Sequence, residues 1–197
     1  MPISYTNHKG KTFFLAQGVT KTGKPRYFFS KTAAQNALEQ IPADHHIEES
    51  VNGVVSLVKD RKQSSLPEEI KMVEAVLHRH PKGNNYRLAA KGNQITVYER
   101  MGSDGEAMAD IFGETLPMYS QQNILDGMRA IVEKNAQYSP MLHFILVDEA
   151  ARTFRAERVT YVVSLPKWVS MSACGPLQEA VDEIIPLLNT DEYFELR

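Results

Sequence analysis

Short strand-like runs on either side of turn residues are the feature that most constrains the fold of this chain. Residues 11–16 and 26–30 are rich in aromatic side chains and flank a stretch that contains Gly and Pro, which predicts a β-hairpin. Residues 47–50 and 54–58 flank an Asn-Gly pair, whose residues favour the positive φ angles of a tight hairpin turn. The amino-terminal part of the chain is therefore predicted to contain two antiparallel hairpins.

Single helices are predicted between the hairpins. An alanine-rich run at 33–38 favours a short helix that ends before Pro42, which gives residues 1–62 a ββαββ order. Ser65 and Glu68 fit a capping box at the start of the next helix. The remaining predicted elements are hairpins at 86–99 and 141–164 and helices at 121–135 and 175–188. Antiparallel hairpins interleaved with single helices, without repeated βαβ units, predict an α+β fold.

A polar stretch at residues 59–65 separates two parts of unlike charge. Residues 1–62 hold nine basic and five acidic side chains, and the first 38 residues contain no Asp or Glu. Residues 63–197 hold thirteen basic and nineteen acidic side chains. We therefore predict two small lobes, a basic one over 1–62 and an acidic α+β one over 63–197.

The composition narrows the class of protein. With 43% hydrophobic and 23% charged residues, the chain is typical of a globular protein. No apolar run reaches the roughly 18 residues that cross a bilayer, and the polar start is unlike a signal peptide. A single cysteine excludes an internal disulfide framework and favours a reducing compartment. We expect a cytoplasmic protein without membrane contact.

The stretch 18–25, GVTKTGKP, matches a phosphate-binding P-loop at its first seven positions. The eighth position requires a Ser or Thr hydroxyl to bind magnesium, and this chain has Pro25 there. The residues that follow have a strand pattern, whereas a P-loop leads into a helix. The stretch is therefore predicted to be a hairpin loop rather than a nucleotide site.

Other arrangements that could support catalysis or metal binding are incomplete. His45 and His46 are neighbours on a predicted strand and point to opposite faces, and His78 and His80 have a poor spacing for one ion on a helix. Cys174 would need a His partner that nothing in the sequence locates. We therefore assign no catalytic residue, no metal ligand and no cofactor.

The amino-terminal hairpin combines cations with aromatic rings. Nucleic acids bind cations through their phosphates and flat rings through their bases. A hairpin ribbon is also narrow enough to enter a major groove. We predict a non-catalytic binding protein whose basic hairpin contacts nucleic acid or an acidic protein partner. The candidate contact residues are Lys9, Lys11, Lys21, Lys24, Arg26, Tyr27 and Lys31.

One alternative is a metal-dependent hydrolase or nuclease centred on the 143–158 hairpin. That hairpin carries Asp148, Glu157 and His143, which could share a divalent ion if their side chains converge. This alternative predicts a divalent-metal site formed by Asp148 and Glu157, with His143 as a further candidate ligand.

A second alternative is a structural or oligomerisation protein, including a homo-oligomer. Its partner surface would be formed by Trp168 and the carboxy-terminal helix. An exposed apolar patch around Trp168, Leu177 and Phe194 would favour this function.

Several segments resemble a group of bacterial proteins to which no activity is assigned, so that this resemblance implies no function. The segments are 9–15, 22–30, 41–44, the Asn52-Gly53 hairpin, 142–144, 152–155, 157–158, Trp168, 175–177 and 193–196. More distantly, residues 8–40 are similar to the arm-type DNA-binding domains of phage-like integrases. In those domains three strands precede a helix, and two such strands are evident here. This second resemblance implies DNA binding by the amino-terminal lobe.

Overall fold

The computed structural model describes residues 1–102, 121–163, 165–171 and 173–196, without the side chains of 121–123 and 128. It has 24% helix and 42% strand in antiparallel sheets with four helices, so the predicted α+β class is confirmed. The strands are β1 (Ser4–Thr6), β2 (Thr12–Val19), β3 (Pro25–Ser30), β4 (His45–Glu49), β5 (Val55–Lys59), β6 (Tyr86–Lys91), β7 (Gln94–Met101), β8 (Gln137–Asp148), β9 (Thr153–Val162), β10 (Leu165–Ser170) and β11 (Gly175–Pro176). The helices are α1 (Pro67–Arg79), α2 (Gln121–Asn135), α3 (Leu177–Ile184) and α4 (Glu192–Glu195).

The chain divides into two compact units. Unit 1 comprises Met1–Arg61 and Ser103–Ala136, and unit 2 comprises Lys62–Gly102 and Gln137–Arg197. The first segment of unit 1 ends next to the predicted boundary, and its second segment contains α2. Among the described residues, no helix has both the length and the apolar composition needed to cross a membrane.

Unit 1 contains both predicted amino-terminal hairpins. β2 and β3 pair in antiparallel register, with Gln17 opposite Tyr27, and β1 adds a third strand on the other side of β2. β4 and β5 form a separate two-stranded sheet. Gly23 and Gly53 have φ angles of 79° and 76° in the two turns, where glycine meets no steric penalty. Both hairpin predictions are confirmed.

The structure contradicts the prediction of a helix at 33–38. The predicted ββαββ order of residues 1–62 is therefore also wrong. This segment pairs with β2, because Ala37 bridges Ala16 and the Leu38 N–H donates to the Leu15 carbonyl at 2.9 Å. The helix preference of alanine is weak, and backbone hydrogen bonds to a strand edge outweigh it. Three strands precede the segment, but the helix that the integrase resemblance implied is absent there.

Unit 2 is built on one antiparallel sheet in the order β10-β9-β8-β7-β6, with β11 paired to β9. Ile95, Phe144 and Ala156 are neighbours across three strands and are fully buried. Val73 of α1 and Val181 of α3 belong to the same core, so these helices cover that face of the sheet. The strands predicted at 86–99 and 141–164 are confirmed, as are the helices that begin near residues 65, 121 and 175.

The cap of α1 differs from the predicted capping box. The N-cap residue is Leu66 rather than Ser65, and the Leu66 N–H donates to the Glu69 carboxylate at 2.7 Å. Glu69 also accepts a hydrogen bond from Arg152 Nε at 2.9 Å. The cap carboxylate therefore links the start of α1 to the β8–β9 turn within unit 2.

Candidate functional site

The β2–β3 turn is held by hydrogen bonds of its own. The Thr20 N–H donates to the Lys24 carbonyl at 2.8 Å, and the Thr20 hydroxyl accepts from the Lys24 N–H at 3.1 Å. Gly23 closes the turn with its N–H donated to the Thr20 carbonyl at 3.0 Å. Strand β3 follows this turn directly, so the P-loop-like stretch is a hairpin loop, as predicted.

Five exposed cations surround this turn and its strands. None of them forms an ion pair or a side-chain hydrogen bond within the part of the chain that the structure describes. In unit 2, by contrast, Arg152 and Arg155 pair with carboxylates. The five unpaired cations are Lys11, Lys21, Lys24, Arg26 and Lys31.

Within the described residues of unit 1, three carboxylates already have partners outside the hairpin. Glu39 pairs with the amino terminus at 3.0 Å, and Asp60 pairs with His46 at 2.5 Å. Glu49 accepts hydrogen bonds from the Tyr5 hydroxyl and from His8. Burial raises the pKa of Glu49, but these hydrogen bonds outweigh burial and hold its pKa below the ordinary value. Glu49 therefore stays ionised beside its own partners.

Lys9 does not belong to this exposed group. It is only 7% exposed, and its ammonium donates to the Ala136 carbonyl at 2.8 Å. That carbonyl follows the last residue of α2, where the helix dipole is negative and a cation is favourable. The prediction that Lys9 contacts a partner is wrong, because its ammonium is buried at the helix terminus.

The two faces of the hairpin carry different aromatic side chains. Tyr27 is half-buried and meets the His45 ring edge-on at a centroid distance of 5.7 Å. Arg26 lies opposite Gly18, and Phe28 lies opposite Ala16, so Arg26 and Phe28 share the other face. Phe28 is 38% exposed on that face. The aromatic side chain beside the cations is therefore Phe28 rather than the predicted Tyr27.

Strand periodicity could have grouped Phe28 with Arg26, because residues two apart on a strand share a face, and it places Tyr27 on the other face. How far each ring is exposed depends on packing between the hairpins, and local sequence does not contain that information. The Tyr27–His45 contact joins β3 to β4 across 18 residues of chain.

The 143–158 hairpin does not assemble the predicted metal cluster. His143 and Glu157 are opposite each other across β8 and β9, but Glu157 pairs with Arg155 at 2.8 Å. Asp148 accepts hydrogen bonds from the two N–H groups that follow it in the turn, at 2.8 and 2.9 Å. At about 3.3 Å per strand residue, Asp148 lies about 16 Å along β8 from His143. No group of three His, Cys, Asp or Glu side chains among the described residues could hold a metal ion.

His143 instead packs against an aromatic ring. Its imidazole stacks on the Trp168 indole, with ring centroids 3.4 Å apart and planes 18° apart. Burial lowers the pKa of His143 to about 4, because a charged imidazolium would lose solvation there. The side chain is therefore neutral near pH 7 and packs as an aromatic group within the sheet of unit 2.

Cys174 also lacks the setting of a nucleophile. It is exposed and precedes β11, and the N-cap of α3 is Pro176, so Cys174 does not cap that helix.

The predicted oligomerisation patch is only partly present. Phe194 is 60% exposed, but Leu177 is 4% exposed and belongs to the core, and Trp168 is covered on one side by His143. Four other large exposed apolar side chains of unit 2 lie together where β9 turns into β10. They are Tyr161, Val162, Val163 and Leu165.

Comparisons with known proteins add no family to these observations. No family model matches the chain, and neither a curated protein nor a solved structure shows significant similarity to it.

Proposed function

We propose that the β2–β3 hairpin of unit 1 binds nucleic acid through its exposed cations and that the protein has no catalytic role. The observation that carries this proposal is the absence of ion pairs at Lys11, Lys21, Lys24, Arg26 and Lys31 within the described residues. Cations without internal partners do not have to break protein contacts before they meet phosphates. Binding would then release condensed counterions, which is the main source of affinity for a polyanion.

The aromatic side chain next to these cations favours nucleic acid over an acidic protein. An acidic peptide need not carry a flat ring beside its carboxylates, whereas every nucleotide carries a phosphate and a flat base together. Phe28 and Arg26 are both exposed and share one face of the hairpin. The six residues of β3 extend about 20 Å, so the cations are spread along a length that spans several phosphates. A cytoplasmic location is part of the same proposal.

Salt dependence gives this proposal a quantitative form. If all five cations meet phosphates, the slope of log affinity against log salt is expected to be about −3.5 for single strands and about −4.5 for a duplex. Neutralising Lys21, Lys24 and Arg26 should reduce the magnitude of the slope for single strands by about 2.

The experiment is fluorescence anisotropy with labelled DNA and RNA of about 20 nucleotides, titrated in salt from about 50 mM upwards. The test variant is K21Q/K24Q/R26Q. The matched control is K71Q/K82Q/K167Q, which removes the same charge from three exposed lysines of unit 2. We expect the test variant to lose most of the binding at low salt and the control to keep it.

Two outcomes would overturn the proposal. One is no binding of the wild-type protein at about 50 mM salt, and the other is equal loss in the two triple variants, which would indicate a net-charge effect. Polyglutamate serves as the competitor for the protein-partner alternative. If it displaces the oligonucleotide at equal charge concentration, the hairpin recognises acidic chains in general and the preference for nucleic acid is wrong.

A further inference from the structure

We infer that the hairpin binds single-stranded rather than double-stranded nucleic acid, with the Phe28 ring as the surface on which one base stacks. This inference rests on the proposed function. It adds the strandedness of the ligand and one residue that recognises it.

The position of the Phe28 ring is set by the strand opposite it. Its Cε1 atom lies 3.3 Å from the point where a Cβ at Gly18 would stand. The ring therefore lies over a residue that has no side chain, and it is supported by the backbone of β2. With 38% of the residue exposed, part of the ring remains accessible to solvent. A ring that is supported in this way loses little conformational freedom when a base stacks on it.

Arg26 is placed to hold the backbone of the same nucleotide chain. It follows the turn that carries Lys21 and Lys24, and it precedes Phe28 by two positions on the same face of β3. Along β3, Arg26 thus lies between the cationic turn and Phe28. A cationic groove or ridge beside an aromatic ring is the arrangement that proteins use for single strands without sequence preference.

A duplex does not offer the same contact. Its bases are stacked on each other, so that side chains reach their edges in the grooves but not their faces. A hairpin in a major groove would gain phosphate contacts from the cations and little from the Phe28 ring. The ring therefore distinguishes the two ligands, while the cations favour both.

The experiment compares single-stranded and hairpin-duplex DNA of about 12 nucleotides per strand for the wild-type protein, F28L and F28W. The control is F194L, which makes the same change at a phenylalanine of unit 2 that is 60% exposed. Circular dichroism and thermal unfolding of each variant establish that it is folded. F28W keeps a flat ring, so it tests stacking even if F28L were poorly folded.

We expect the wild-type protein to prefer the single strand, and F28L to lose about fivefold or more in single-strand affinity. F28L should keep its duplex affinity, and F28W and F194L should keep the single-strand preference. Equal wild-type affinity for the two ligands, or an unchanged preference in F28L, would overturn the inference. In either case K21Q/K24Q/R26Q still tests the proposed function, because the cations act on both ligands and the ring acts on one.

Discussion

Unit 1 and unit 2 differ in how they use their polar and apolar residues. Among the described residues, the main hydrophobic core lies in unit 2, where α1 and α3 cover one face of the sheet β10-β9-β8-β7-β6. The buried residues of unit 1 include Asn7 and Lys9, whose polar atoms bond backbone carbonyls. Apolar burial is the main favourable term in folding, so unit 2 is expected to contribute most of the stability.

The positively charged side chains of the two units also differ in the contacts that they make. In unit 2 Arg152 bonds both Glu69 and the Ser64 carbonyl, and it is partly buried. In unit 1 the hairpin cations are exposed and have no partner within the described residues. Arg152 thus stabilises the fold of unit 2, whereas the exposed cations of unit 1 are concentrated on one hairpin and are available to a ligand. Unit 2 also has exposed lysines, such as Lys71 and Lys167, so the proposed polyanion site is distinguished by the clustering of its cations on one hairpin.

The largest expected effect is the loss of core packing in unit 2. Phe144 is fully buried, so F144A should reduce the free energy of unfolding by about 3–5 kcal/mol through lost burial and a cavity. Urea unfolding followed by the fluorescence of Trp168, the chain's single tryptophan, reports on unit 2. The exposed-residue control F194A should cost less than about 1 kcal/mol. Similar losses in both variants would contradict the core described for unit 2.

A smaller loss of stability is expected in the same unit when the pH is lowered. The folded-state pKa of His143 is about 4, against an ordinary 6.5, so the unfolded chain takes up the proton first as pH falls. Stability should therefore be lost from about pH 6.5 down to about 4, by about 1–2 kcal/mol once solvent screening of the half-buried ring is allowed for.

The measurement is the difference in unfolding free energy between wild-type protein and H143Q across this pH range. The variant should lose that part of the pH dependence, whereas H78Q, at an exposed position on α1, should retain it. A pH profile that H143Q leaves unchanged would show that other groups cause the acid sensitivity.

The smallest expected effect is that of the hairpin cations on stability. K21Q/K24Q/R26Q should change the free energy of unfolding by no more than about 0.5 kcal/mol, because no ion pair is lost among the described residues. R152Q should cost about 1–3 kcal/mol, because it removes partly buried hydrogen bonds to Glu69. Thermal and urea unfolding of both variants check this contrast. A large loss in the triple variant would mean that the hairpin cations stabilise the fold, and the two units would no longer differ in this respect.

Much of the fold could be predicted from local patterns. The hairpins at β2–β3 and β4–β5 follow from turn residues that lie next to the strands they join, so every determinant is local. The segment 33–38 could not be predicted in this way, because its partner is β2. The cap of α1 is displaced by one residue, since Glu69 also bonds Arg152, far away in the chain. In both cases a contact distant in sequence outweighs a weak local preference.

The features of the candidate site also divide into those that the local sequence predicts and those that depend on contacts distant in the chain. The absence of acids in the first 38 residues predicts the basic hairpin, because charge is a property of the residues themselves. Lys9 carries the same charge as Lys21, but its environment is the carboxyl end of α2, more than 100 residues later in the chain. Sequence spacing alone does not indicate that contact.

The sequence by itself determined the α+β class, the hairpin turns and the excess of cations near the amino terminus, because these depend on neighbouring residues and on composition. Only the tertiary structure decided which cations stay unpaired, which face of β3 is exposed and whether His143, Asp148 and Glu157 meet. Pairing, exposure and convergence depend on distances between residues that are remote in the chain. Those distances are established when the strands and helices pack.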